Sequence, residues 1–156
     1  MPILDHDSPL DPIDTRILRT LAADGRLSVT DLARTVGLSK SPTQVRLKRL
    51  EDAGYIHGYR AVLNPAALGL THVAFAEVKL TDTTEKALAA FNRAVMAVPE
   101  IEECHMIAGS FDYLLKVRSR DIQSYRRILG EVISSLPHVG STSTHVSMEA
   151  VKETGL

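Results

Sequence analysis

The rhythm of the chain changes at Gly54, and that change restricts the fold more than any other feature. Before it, three stretches repeat apolar residues at helical spacing behind capping residues. After it, β-favouring runs alternate with helical ones. Asp11-Pro12-Ile13 reads as an N-cap with proline at the first helical position, and Ile13, Ile17, Leu18 and Leu21 then share a face up to Asp24-Gly25. Ser28-Val29-Thr30-Asp31 is a short-acid capping box opening a brief helix, with Leu32, Ala33 and Val36 on one side and Gly37 as its stop. Ser41-Pro42-Thr43-Gln44 reads as another capping box, again with proline at the first helical position, and predicts a third helix ending at Ala53-Gly54.

Two helices joined by a tight turn containing Gly37 make a helix-turn-helix if the second can enter the DNA major groove. With Thr43, Leu47 and Leu50 as the inward row, a rotation of about 100° per residue turns Val45, Lys48 and Arg49 outward and leaves Gln44 at the flank. Ser39, Lys40 and Ser41 precede the helix, where hydroxyls and backbone amides meet phosphate. Gln44 could read adenine bidentately and Val45 could touch a thymine methyl. Arg46 lies beside the inward row and reads as an intramolecular ion-pair or packing residue. Net charge is -1, so a general nucleic-acid binder is not implied by the sum. Between residues 40 and 60, however, Lys40, Arg46, Lys48, Arg49 and Arg60 outweigh Glu51 and Asp52. The basic charge sits where the helix-turn-helix needs it.

Tyr55 to Leu63 reads as a connecting strand, broken by Asn64-Pro65. Strands are then expected at 71–80, 102–107, 113–117 and 139–149, with helices at 84–98 and 122–136. The second helix should turn Ile122, Tyr125, Leu129, Val132 and Leu136 inward. The order is βαββαβ, a ferredoxin-like arrangement, so the fold class is α+β. Residues 1–54 form the winged-helix-like DNA-binding domain, 55–70 a linker, and 71–156 the oligomerisation and effector domain. Ala74, Ala76, Val78 and Leu80 line one side of the first strand, and Val73 and Phe75 stand on the other with Glu77 and Lys79. Apolar residues on both faces predict burial of the second face in a two-fold homodimer, with tetramers and octamers left open.

The N-terminal residues MPILDHDSP carry acids where a signal peptide has positive charge, and no run of 18 apolar residues occurs. Neither secretion nor a membrane span is expected. The single cysteine, Cys104, rules out an internal disulfide and suits a reducing compartment, the cytoplasm. His105, His138 and His145 lack the spacing of metal signatures, and neither metal nor cofactor is expected. An enzyme is not expected either, since no paired carboxylates, phosphate loop or nucleophile-base spacing is found.

Several spaced residues together resemble the Lrp/AsnC family of prokaryotic regulators. They are Asp14-x-x-Ile17-Leu18-x-x-Leu21, Asp24-Gly25-Arg26, Leu32-Ala33, Val36-Gly37-Leu38-Ser39, Arg46 to Glu51, Gly54-Tyr55-Ile56 and Gly109-Ser110-Phe111-Asp112-Tyr113. Thr43 departs from the pattern, standing where the family usually has an apolar residue. The runs 38–42, 44–50 and 104–117 look closer still to the branch that activates proline catabolism. This resemblance implies an operator in double-stranded DNA, proline as the effector and a proline-catabolic gene as the target.

The family likeness also places the effector at the Gly109–Tyr113 turn and the last strand, between neighbouring dimers. An amino acid needs an acceptor for its ammonium and donors for its carboxylate. Asp112 can supply the first, and hydroxyls of Ser110, Thr142, Ser143 and Thr144 the second, while Gly109 allows close approach and Phe111 and Tyr113 complete the turn. Gly and Asp are also ordinary turn residues, so a plain hairpin is the alternative reading of the same stretch. An architectural DNA-wrapping protein that ignores small molecules is the remaining rival, distinguished by DNA binding with and without proline.

Overall fold

The computed structural model describes residues 10–153. Residues 1–9, read above for a targeting signal, lie outside it. The described chain divides into two compact units, one ending at Ala61 and the other beginning at Val62.

In the first unit α1 (Pro12–Ala23) starts as its sequence predicts. The Asp11 carboxylate accepts from the amides of Ile13 (2.9 Å) and Asp14 (2.8 Å), and the Asp14 side chain accepts in return from the Asp11 amide. Ser28 caps α2 (Val29–Val36) through the Asp31 amide, and the helix ends at Gly37 in the left-handed region (φ 77°). The third helix departs from expectation. α3 (Lys40–Asp52) begins before Ser41, with Ser39 at the N-cap position and Pro42 at the third helical residue. Amides of the first turn have no helical partner in any case, so proline costs nothing at either position, and its presence does not fix the start. Thr43 keeps its place in the inward row because its hydroxyl donates to the Ser39 carbonyl (2.9 Å). It is wholly buried, and the polar group stays satisfied. Ile17, Leu32, Val36 and Leu50 form the core of this unit, flanked by Leu47 and Ile56.

The expected connecting strand does not form. Residues 55–63 pair with no strand in the single chain, because a strand needs a partner and none is offered. Tyr59 instead donates its hydroxyl to Glu51 (2.8 Å).

The second unit has the predicted βαββαβ order: β1 (His72–Leu80), α4 (Glu85–Val95), β2 (Ile101–Met106), β3 (Tyr113–Ser119), α5 (Ile122–Arg127) and β4 (Val139–Val146). The sheet order is β2-β3-β1-β4, antiparallel throughout. Ala74, Ala76, Val78 and Leu80 meet Tyr113, Leu115 and Val117 under Phe91, Val95, Tyr125, Ile133 and Leu136. Two helical expectations need correction. α4 stops at Val95, short of Val98. α5 continues past Arg127 as a π-helical turn (Ile128–Val132) and a 3₁₀ turn (Ile133–Ser135). The wider turn delays rotation of the helix face, so Ile133 goes fully inward where Val132 is expected; Ile122, upstream of that turn at the first helical position, is exposed.

The other sheet face carries Phe75, Glu77, Lys116 and Arg118 with His105 and His145. Arg118, almost buried, is held by Glu102 and Glu153 and donates to the Leu70 carbonyl (3.3 Å). Lys116 joins the same two acids at 3.3 and 2.7 Å. Among the described residues no helix is long and apolar enough to cross a membrane.

Candidate nucleic-acid interface and effector turn

The inward row of α3 leaves Ser39, Lys40, Ser41, Gln44, Val45, Lys48 and Arg49 all exposed. Val45 is 70% exposed and gives the outward face an apolar group among its polar ones. Ser41, Val45, Lys48 and Asp52 lie along the outermost ridge at helical spacing, with Gln44 on one flank and Arg49 on the other.

The charges on this helix differ from one another more than the sequence suggests. Lys48 reaches Asp52 one turn on (3.1 Å). Arg46 makes ion pairs with Asp11 and with Asp14 (2.9 Å), the intramolecular role read for it. Arg49 pairs with the second oxygen of Asp14. Asp14 itself is 1% exposed, a buried carboxylate on α1 between two arginines of α3. The Asp14 amide, together with Arg46, holds the Asp11 carboxyl below its usual range, and the two carboxylates raise the Arg46 guanidinium in turn. Of the outward cations, Lys40 alone has no ion-pair partner among the described residues. The uncompensated charge is therefore at the N-terminal end of the helix, the end that meets base edges in helix-turn-helix proteins.

Sequence reasoning missed the acids of α1. Their partners are 32 and 35 residues away, and helical periodicity carries no information across that distance. The one available signal is Asp14 itself, an acid on the first turn beside an apolar stripe.

The turn between β2 and β3 is tied to the end of β1. The Asp112 amide donates to the Val78 carbonyl (2.9 Å), the Leu80 amide donates to Asp112 Oδ2 (2.7 Å), and Lys79 Nζ donates to the Ser110 carbonyl (3.0 Å). Asp112 Oδ1 accepts no hydrogen bond among the described residues. At Gly109 an added Cβ would meet only Ile107, at an ordinary 3.6 Å, so the turn itself does not demand glycine. Phe111 is half-buried and Tyr113 is core: its ring packs on Phe91 (4.4 Å between centroids) and its hydroxyl donates to Asn92 (2.8 Å). Thr142 is the cross-strand neighbour of Val78, so it borders the same end of β1 as Asp112. Thr144 lies further along on the helix side, where its hydroxyl meets that of Tyr125 (2.7 Å). Ser143 faces the opposite side, opposite Glu77. The structure thus brings Ser110, Asp112 and Thr142 to one end of the sheet and separates Ser143 from its neighbours by strand alternation.

His105 pairs with Glu103 and His145 with Glu77, and no group of three metal-ligating side chains gathers among the described residues. Cys104 packs against the core, and burial raises its thiol pKa, as for a structural cysteine.

Residues 10–57 match the family model described as winged helix-turn-helix DNA-binding, and residues 73–156 match the Lrp/AsnC ligand binding domain. The chain is 65% identical over 147 residues to a protein of Rhizobium radiobacter named proline dehydrogenase transcriptional activator, covering 94% of each. It is 58% identical to the protein of that name from Rhodobacter capsulatus, covering 92% of this chain and 94% of that one. Among solved structures, a transcriptional regulator of Neisseria meningitidis in complex with L-Met superposes with a TM-score of 0.87 at 32% identity, covering 94% of this chain and 96% of the other. The names these relatives carry are those of regulators, not of enzymes.

Proposed function

The chain belongs to the Lrp/AsnC family of DNA-binding transcription regulators, and from that premise we propose that it activates a proline-catabolic gene in response to proline. The observation that carries the DNA-reading half is the exposed ridge of α3, with Val45 bare at its centre and Lys40 uncompensated at its N-terminal end. In this reading Ser39, Lys40 and Ser41 hold phosphate at the entry to the groove, Gln44 and Val45 contact base edges, and Lys48 and Arg49 serve the flanking phosphates. Lys48 must leave Asp52 to do so, whereas Arg49 has donors to spare.

The proline half rests on the two activators at 65% and 58% identity, and an amino acid as the ligand class is supported by the L-Met complex of the Neisseria protein. The proposed effector site is the 109–113 turn with Thr142, where Asp112 Oδ1 takes the ligand ammonium and the hydroxyls of Ser110 and Thr142 take its carboxylate. Strand alternation turns Ser143 to the other face and the Thr144 hydroxyl is engaged by Tyr125, so neither joins this site, while Tyr113 anchors the turn in the core. Two copies pair through the sheet face that carries Phe75, which gives a two-fold reader for a two-fold operator. The free thiol of Cys104 suits the reducing cytoplasm as the working compartment.

A thermal-shift screen of the twenty amino acids tests the effector assignment. Proline is expected to raise the melting temperature above the other nineteen, because a ligand that prefers the native state stabilises it. A clear shift with another amino acid and none with proline would replace the effector and leave the DNA reader standing.

A further inference from the structure

We propose that Asp14 is a positioning residue for DNA reading: it fixes the roll of α3 and holds the Arg49 guanidinium where that group bridges to a backbone phosphate. The inference rests on the DNA-reading assignment of the α3 ridge. Apolar contacts alone define the roll of this helix loosely, since only Thr43 and Leu50 of α3 are fully buried. One carboxylate supplies what they lack. Asp14 Oδ1 takes Arg46 and Oδ2 takes Arg49, two side chains about 60° apart around the helix axis. Rotation in either direction stretches one of the two bonds, so the pair of oxygens acts as a clamp.

The grip is asymmetric in a way that points outward. The Arg46 side chain is 29% exposed and stays in the packing; that of Arg49 is 57% exposed, on the flank of the ridge that would face the sugar-phosphate wall of the groove. A guanidinium carries five N–H donors in a rigid fork, and the described bond to Asp14 uses Nη2. Nε and Nη1 remain for a phosphate, so Arg49 serves the buried acid and the DNA together, with no exchange of partners. Lysine cannot reproduce this geometry, because its three donors radiate from one nitrogen and not from a planar fork.

The test is fluorescence anisotropy on a duplex selected by the unaltered protein from a random-sequence pool, titrated across salt with the unaltered protein, Asp14→Asn, Arg49→Ala, Arg49→Lys and the double variant Asp14→Asn/Arg49→Ala. Removing a negative charge near DNA should by Coulomb's law tighten binding; the clamp predicts the opposite, a loss of about tenfold in Asp14→Asn, as for one charge-assisted hydrogen bond. The slope of log K against log salt should flatten by about 0.9 in Arg49→Ala, the value for one phosphate contact, and by a similar amount in Asp14→Asn. The double variant should bind no more weakly than Arg49→Ala. Arg49→Lys, which keeps the charge on a largely exposed site and so leaves the fold intact, should also lose about tenfold by the same hydrogen bond. Binding by Asp14→Asn as tight as the unaltered protein, losses that multiply in the double variant, or unimpaired Arg49→Lys would each overturn the clamp. If Asp14→Asn fails to keep its helical circular dichroism, Arg49→Lys decides alone. An unaltered protein that enriches no duplex would overturn the DNA-reading assignment itself and the clamp with it.

Discussion

Each unit of the chain holds a cluster of buried ionic groups, and the two clusters are built to opposite ends. In the three-helix unit the buried member is the acid, Asp14, and its arginine partners reach the surface. In the sheet unit the buried member is the cation, Arg118, and its acids come from β2 and from Glu153 near the end of the described chain. A buried acid with half-exposed arginines presents positive charge to solvent under control. A buried cation held by acids presents none, and fastens the segment that carries Glu153 to β3. The difference separates a cluster that leaves cationic donors at the surface from one that fastens a chain segment.

The cores differ in the same sense, and the largest predicted effect exploits this. Among the described residues, four side chains make the buried apolar cluster of the helical unit and twelve make that of the sheet unit. At about 0.05–0.15 kcal/mol per residue, a unit of roughly 50 residues has about 3–8 kcal/mol in total. Leu50→Ala, at about 2–5 kcal/mol, consumes most of it. The variant is expected to lose DNA binding and helical signal while the sheet unit keeps its melting transition. Loss of both transitions together would show that the units do not fold independently.

Next in size is Arg118→Ala. Removing one partner of a buried ionic cluster costs about 3–5 kcal/mol, and the low end is expected because Lys116 still holds Glu102 and Glu153. Calorimetry should find the sheet unit destabilised by about 3 kcal/mol and the helical unit unmoved. A loss under about 1 kcal/mol would mean that the cluster is no more than a surface pair.

Acid should then act on both clusters with one sign. The Asp14 amide, ahead of Arg46, lowers the Asp11 pKa, and the Lys116 hydrogen bond lowers that of Glu153. For groups lowered on folding, the stabilisation is complete above the unfolded values of 3.8 and 4.5 and disappears as pH falls through the folded ones. Stability measured by urea unfolding should be flat from pH 7 to 5 and decline below about pH 4.5. In Glu153→Gln the acid-dependent part of the sheet unit's loss should shrink; an unchanged profile would mean that other carboxylates carry it.

The comparison also marks what the sequence makes legible. Local chemistry is readable: Asp11 and Ser28 announce helix starts, Gly37 announces a stop, and the alternation in β1 separates Ala74, Ala76 and Val78 from Phe75 and Glu77. Ambiguity enters where two positions are physically equivalent, as with Pro42, which a first turn accepts at its first or third residue. Residues 55–63 form no strand in the single chain because β-propensity reports a side chain's fit to a sheet and not the presence of a partner. The π-helical turn after Arg127 leaves no mark in the pattern, and beyond it Ile133, not the expected Val132, is the fully buried residue. Of the DNA site, the outward ridge could be read from rotation alone. The acids that balance its charges could not, because their contacts are fixed by tertiary packing between α1 and α3.

The smallest effect separates the outward lysines, and it tests whether the balance of charge on α3 matters to DNA. Lys40 has no ion-pair partner among the described residues, so under the proposed phosphate role its truncation should flatten the salt slope by about 0.9. Lys48 faces Asp52 one turn later, an order of charges less favourable along a helix than the reverse. Any phosphate that recruits Lys48 must first take it from Asp52 and then tolerate the carboxylate left behind. Lys48→Ala should therefore flatten the slope by less than Lys40→Ala, and Asp52→Asn should tighten binding and steepen the slope by freeing Lys48. Neither variant should move the melting temperature appreciably, because a largely exposed pair contributes little to folding. Equal slopes for the Lys40 and Lys48 variants would show that Asp52 gives up its partner without cost, and the N-terminal end of α3 would then have no privileged charge.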